Sequence, residues 1–255
     1  MKKKILSLCV VMALAVTAII GGTLAYFSDT DAQTNTFTTG NVEIDLWEDF
    51  GDNDATGVEE LIPSTGSYDD GTLKNDIEKE IYVTNKGSED AFVRVHIAIP
   101  SILEDANDEF DANEGVLHFA IADNSAELDK WDWSNATDDD DYETKSNTYK
   151  TTIDNKEYNV YVVTYTSALI KDAATVDAIS KVWMDSATTN EDITKINEVL
   201  GAEWKIYVAA EGTQTQGFAD AYEALNTAFG EPTDATYTAT IDWTTVAGQS
   251  FVNKD

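Results

Sequence analysis

From Asn41 to Leu46 the chain alternates polar and apolar residues, with Val42, Ile44 and Leu46 interleaved with Asn41, Glu43 and Asp45. A period of two turns one set toward a buried sheet face and the other toward water, so the spacing predicts a strand. Ile77, Lys79, Ile81 and Val83 set a second alternation; Val93, Val95, Ile97 and Ile99 set a third, with Arg94 and His96 on its opposite face. The turn-forming run Asn85-Lys86-Gly87-Ser88 between these two predicts a hairpin. Residues 116–122 and 158–166 read as further strands, and the second, apolar on both faces, is expected at the centre of a sheet. Residues 49–71, rich in Asp, Gly, Ser and Thr and carrying Pro63, read as a long loop. Residues 131–150, with the acidic run 138–141, read as a solvated loop.

The period changes in the second half. Residues 188–192 supply an N-cap and first-turn acids, Ile193, Ile196 and Leu200 follow at helical spacing, and Gly201 stands where a helix-ending glycine belongs. Residues 203–210 return to strand. Phe218, Tyr222, Leu225 and Phe229 line one face of a second helix, closed by Gly230 with Pro232 beyond. Residues 174–184 are expected as a third short helix, and Tyr237, Ala239, Ile241 and Trp243 as a last strand. Together these elements predict a mainly β protein, a β-sandwich with helical insertions in its second half.

The first 25 residues follow another rule. Lys2, Lys3 and Lys4 precede an apolar run, residues 5–20, broken only by Ser7, Cys9 and Thr17, and Gly21-Gly22-Thr23-Leu24-Ala25 comes next. A basic start, an apolar stretch and small residues before a cut between Ala25 and Tyr26 form a signal peptide. An uncleaved anchor is the alternative, because residues 5–27 are nearly long enough to span a bilayer. The Gly-Gly break and the acidic residues directly after it favour cleavage. A lipoprotein reading at Cys9 fails, since Leu8 is too bulky for the position before the cysteine and the apolar run continues past it. The expected layout is 1–25 signal peptide, 26–41 extended segment and 42–255 one sandwich domain.

Composition narrows the partners. The chain has 48 acidic and 16 basic residues, and the cut removes three lysines and no acid, leaving 13 against 48, a net −35. Phosphate is repelled by such a surface, which argues against nucleic acid and anionic lipid, so membrane contact is expected only through the signal peptide before cleavage. The only cysteine leaves with the signal, so no disulfide or thiol chemistry is expected.

Two motifs carry a family resemblance. Tyr26-Phe27-Ser28-Asp29-Thr30 followed by Asn35-Thr36-Phe37-Thr38-Thr39-Gly40-Asn41-Val42, and Tyr82-Val83-Thr84-Asn85-Lys86-Gly87-Ser88-Glu89-Asp90-Ala91-Phe92-Val93-Arg94-Val95, resemble the TasA/camelysin family of exported Gram-positive proteins. Residues 159–168 and 204–229 resemble large clostridial members of that group. The resemblance implies a jelly-roll sandwich, processing by a SipW-type signal peptidase, and a secreted cell-surface or biofilm-matrix role. It also implies self-assembly into fibres in which each subunit lends its N-terminal strand to the next. The segment 26–41 suits this, being polar and extended, with Tyr26, Phe27 and Phe37 as its aromatic anchors. Pairing within its own domain is the alternative. No sortase-type signal is read in residues 249–255, so wall attachment is expected to be non-covalent or through assembly.

The same resemblance raises proteolysis, because camelysin is described as a metalloprotease. Zinc proteases of that kind carry His-Glu-x-x-His on a helix. Here the two histidines, His96 and His118, fall in predicted strands outside any such motif, and no serine-nucleophile elbow is present. No catalytic residue, and so no enzyme activity, is expected. Asp49, Asp52 and Asp54 beside Gly51, with residues 105–109 and 111–115, offer hard oxygen ligands for calcium but match no EF-hand register, and plain solvated acidic loops are the alternative. A third reading is a secreted adhesion module using Trp131 and Trp133.

Overall fold

The structure is a computed structural model, and it describes residues 28–31, 41–49, 61–68, 71–104, 115–120, 130–133, 148–232 and 241–248. The signal segment 1–25, the anchors Tyr26, Phe27 and Phe37, the candidate ligands Asp52 and Asp54, residues 105–114 and the acidic run 138–141 lie outside the described residues.

The strands are β1 (Ser28–Asp31), β2 (Ile44–Asp49), β3 (Ile77–Glu78), β4 (Glu80–Asn85), β5 (Ala91–Pro100), β6 (Leu117–Ala120), β7 (Trp131–Asp132), β8 (Tyr149–Ile153), β9 (Lys156–Tyr165), β10 (Lys181–Met184) and β11 (Tyr207–Gln214). The helices are α1 (Asn190–Leu200), α2 (Ala221–Phe229) and α3 (Trp243–Ala247). The protein is mainly β, and every pairing between these strands is antiparallel.

One layer runs β1–β11–β5–β9, with β7 and β8 sharing the outer edge of β9. In the other, β2 pairs with β4 and β10 lies between β3 and β6. Residues 173–179 join these two parts along the second edge of β4: Asn85 N–H donates to Ala173 O, Thr175 N–H to Val83 O and Ile81 N–H to Ile179 O. Val93, Val95, Ile97 and Ile99 of β5 pack in one core with Ile44, Ile81, Val83, Phe119, Val182 and Met184 of the second layer. Each such aliphatic side chain contributes roughly 1.5–3 kcal/mol by leaving water. The far face of the first layer is also covered. Ala98, Val160, Val162 and Ala209 lie under Trp243 and Val246 of α3, and Phe92 lies under Leu225 and Phe229 of α2. All ten residues of β5 are therefore buried, and β9 is central, as its two apolar faces predict.

The expected hairpin at residues 85–88 does not form. β4 pairs with β2, while both edges of β5 are taken by β11 and β9, so the chain crosses from one layer to the other. The turn is drawn the other way because Lys86 and Gly87 N–H donate to Glu43 O. Gly87 permits this approach: a Cβ there would stand 2.4 Å from Asn41 O. Asn85 ties the crossover down, donating through Nδ2 to Glu89 O and Leu169 O and accepting from Gly87 N–H.

Four further expectations are corrected. Residues 174–184 are extended rather than helical, because the second edge of β4 needs their backbone and Val182 and Met184 turn inward at a period of two. Trp243 opens a helix instead of closing a strand, since Asp242 Oδ1 accepts from the N–H groups of Thr244 and Thr245; residues 233–240 lie outside the described residues. The stretch 131–150 begins and ends in strands, with Trp131 opposite Tyr165 and Tyr149 opposite Val160. The expected strand 203–210 starts later, at Tyr207.

The first long helix forms where its cap predicts; the second ends at the expected Gly230 but starts at Ala221, which leaves Phe218 outside it. Thr189 and Asp192 make a reciprocal capping box at the start of α1, and Gly201 ends it at a φ of 84°. Asp220 caps α2, and Gly230 ends it at a φ of 92°.

Candidate functional site

Two arrangements hold the chemistry that this fold brings together. The first spans β5 and β11. Glu211 stands directly opposite Arg94 in the ladder, and Arg94 Nε lies 2.5 Å from Glu211 Oε2. Both side chains are buried, so their charges must be satisfied inside the protein. The guanidinium fork finishes this task by donating to Asn226 Oδ1 at 3.0 Å and to Gly230 O at 3.1 Å, with the Phe229 ring below it. His96, two residues along, places Nε2 3.2 Å from the same Glu211 oxygen and Nδ1 3.1 Å from the Tyr149 hydroxyl. A carboxylate can only accept, so Nε2–H donates to Glu211 and Nδ1 accepts from Tyr149. Burial holds the His96 imidazole below its ordinary pKa, opposed by the Glu211 charge and hydrogen bond and helped by Arg94. Burial favours the neutral ring, which these two hydrogen bonds hold in one tautomer.

The second arrangement closes the turn after β5. Tyr161 Oη donates to Glu104 Oε1 at 2.5 Å and Asn159 Nδ2 to Oε2 at 2.9 Å, while Ser101 Oγ donates to Asn159 Oδ1. Burial pushes the Glu104 carboxyl up to about 7, against the hydrogen bonds from Tyr161 and Asn159 and the charge of Lys150. Burial, then the Glu104 charge and the hydrogen bond to it, raise the Tyr161 phenol. Glu104 is thus a proton-binding group poised near neutral pH.

The two histidines are not brought together. His96 belongs to the first layer and His118 to the second, where its Nε2 lies 3.0 Å from Asp185 Oδ2 and its ring stacks on Trp183. A catalytic zinc needs about three protein ligands and an open position. Around His96 the donors do not fit, because Glu211 already serves Arg94 and the ring is fully buried. His118 and Asp185 supply two donors, and among the described residues no three of His, Cys, Asp and Glu cluster as a metal-ligand set.

Of the other expected site residues, Asp49 ends β2 opposite Glu80. Trp131 and Trp133 are buried, Trp131 Nε1 donating to Val176 O and Trp133 stacking on Phe119, so the adhesion reading loses its proposed contacts. The segment expected as a donor has a described part: β1 lies on the outer edge of β11, Ser28 opposite Thr213 through Asp31 opposite Ala210. Among the described residues, the alternative of pairing within its own chain is what this segment does. Sequence reasoning missed Glu211, although a lone carboxylate inside the apolar run 206–212 is a usable signal for a buried partner of Arg94. It also missed Glu104, which nothing distinguishes among 48 acids.

A two-layer antiparallel β protein with its first described strand on the sheet edge defines the class. The family model described as camelysin metallo-endopeptidase matches residues 1–217, and the chain belongs to that family, as the N-terminal and 82–95 motifs imply. No curated protein and no solved structure matches the chain. Residues 218–255, which include α2 and α3, lie beyond the matched part.

The Glu104 site predicts a pH dependence with a definite sign. The folded carboxyl binds its proton more tightly than an unfolded one, so its contribution is complete below pH 4.5 and is lost as pH rises through about 7. His96 acts oppositely, its contribution being complete above pH 6.5 and falling in acid. Comparing the intact protein with Glu104→Gln by denaturant unfolding isolates the first effect. Relative to the variant, the intact protein loses on the order of 3 kcal/mol between pH 4.5 and 7.5; a constant difference refutes the assignment.

Proposed function

We propose that the chain is a secreted structural protein of the cell surface or biofilm matrix, a jelly-roll subunit that assembles into fibres by lending its N-terminal strand. The observation that carries this reading is the position of β1. It begins three residues after the Ala25–Tyr26 cut and attaches through the backbone ladder to one strand, β11. A ladder made of N–H and C=O groups is indifferent to which copy supplies the strand, so β11 of a neighbour offers the same edge. Processing by a SipW-type signal peptidase would free this strand, and Tyr26, Phe27 and Phe37 would anchor it. Calcium at Asp49, Asp52 and Asp54 rests on the sequence alone.

A second reading, metal-dependent proteolysis, is favoured by the description of the matched family. It ranks lower because the described histidines each keep a separate carboxylate partner.

Electron microscopy of the mature protein beside a truncation starting at Asn41 tests the first reading. Filaments are expected from the mature protein alone; identical filaments from both exclude strand donation, and none from either under varied salt and pH removes the fibre reading. For the second reading, the purified mature protein is expected to hold no stoichiometric zinc and to leave casein intact. Bound zinc with chelator-sensitive cleavage would put proteolysis first.

A further inference from the structure

At one end of the first layer, the β8–β9 turn, the C-terminus of α1 and the entry to β11 enclose a cleft of about 340 Å³. That is within the usual range for a small-molecule site, roughly 300–1,000 Å³. Its walls are built rather than incidental. Asp154 and Asn155 form a two-residue turn with φ values of 50° and 62°, the tight form that matches strand twist. Lys156 Nζ donates to Leu200 O at 2.6 Å, pinning the last turn of α1 to the hairpin. Tyr158 and Tyr207 face each other, ring centroids 5.5 Å apart at 50°. Tyr158 is buried, whereas Tyr207 is half-buried and keeps part of its ring at the opening.

The charges around the opening decide the ligand class. Lys156 and Lys205 are matched by Asp154 and Glu203, a formal sum of zero in a chain of −32. An anion gains no net attraction there and meets the field of the whole protein, and the paired charges give a cation no net attraction either. What remains is recognition by hydrogen bonds and ring contact. The cleft carries donors in the ammonium groups, acceptors in the carboxylates and both in the phenols. Lys205 and Glu203 are exposed and stand 3.7 Å apart, a loose pair that can turn to ligand hydroxyls. A ligand whose every polar group both donates and accepts, with apolar C–H faces between them, satisfies this set. We propose that the Tyr158–Tyr207 cleft binds a neutral oligosaccharide. The inference stands on this cleft alone and is independent of strand donation.

The test is titration of isotope-labelled mature protein with chitotriose, cellotriose and maltotriose, followed through backbone amide shifts. At least one trisaccharide is expected to move amides confined to residues 154–158 and 200–207, with Kd near or below about 1 mM. Tyr207→Ala is expected to weaken that binding about tenfold, and Tyr207→Phe, which keeps the ring, by less. Unchanged amide positions elsewhere in the spectrum verify that each variant is folded. No shifts with any of the three at about 10 mM overturn the proposal. Shifts undiminished by Tyr207→Ala, or tighter binding of trigalacturonate, also overturn it.

Discussion

The ion pair between Arg94 and Glu211 joins the two strands on which the first layer is built, and both side chains are shielded from bulk solvent. Such a pair is stable only if its remaining donors and acceptors are met, and removing one partner typically costs about 3–5 kcal/mol. Here Asn226, Gly230 O and the Phe229 ring meet the guanidinium, and His96 meets the carboxylate. α2 is therefore required by the chemistry of β5 and β11 as well as by its own apolar face. Although α2 and α3 lie beyond the residues matched by the family model, they cover Arg94, Phe92 and Ala98 within it. A slip of one residue between β5 and β11 would bury both charges apart, so the pair also fixes the register.

That register sets where β1 sits. β11 gives one edge to β5 and the other to β1, and β2 crosses close by. The crossing is tight at Gly212, where a Cβ would come within 2.9 Å of the Ile44 side chain. β11 is thus closely packed on its inner side and paired with a four-residue strand on its outer side. In the proposed strand exchange, β11 would be the acceptor edge and the short β1 the donor.

Much of this was legible in the chain. The alternations at 42–46, 77–83 and 93–99, the two-faced strand near 158–166, and the capped helices at 190–200 and 221–229 all follow from local spacing. What local spacing misread was decided by distant partners. The 85–88 turn looked like a hairpin because nothing in residues 82–95 reveals that β11 and β9 claim both edges of β5. Residues 174–184 looked helical because the free edge of β4 lies about 90 positions away. Arg94 and His96 were correctly placed on one face of their strand, yet their partners Glu211 and Tyr149 were not identifiable from sequence. The cleft at Tyr158 and Tyr207 was equally hidden, since it joins β9 and β11 across β5.

Native-state hydrogen exchange of the mature protein, resolved by residue, tests the central claim that β11 is a firm acceptor carrying a releasable β1. The account predicts that the β5–β11 ladder amides of Arg94, His96, Ala209 and Glu211 exchange only through global unfolding. The ladder amides of β1 should exchange at least about a hundredfold faster, through local release. Equal protection of β1 and the β5–β11 ladder would contradict it, because a strand that leaves only when the whole protein unfolds cannot be lent to a neighbour.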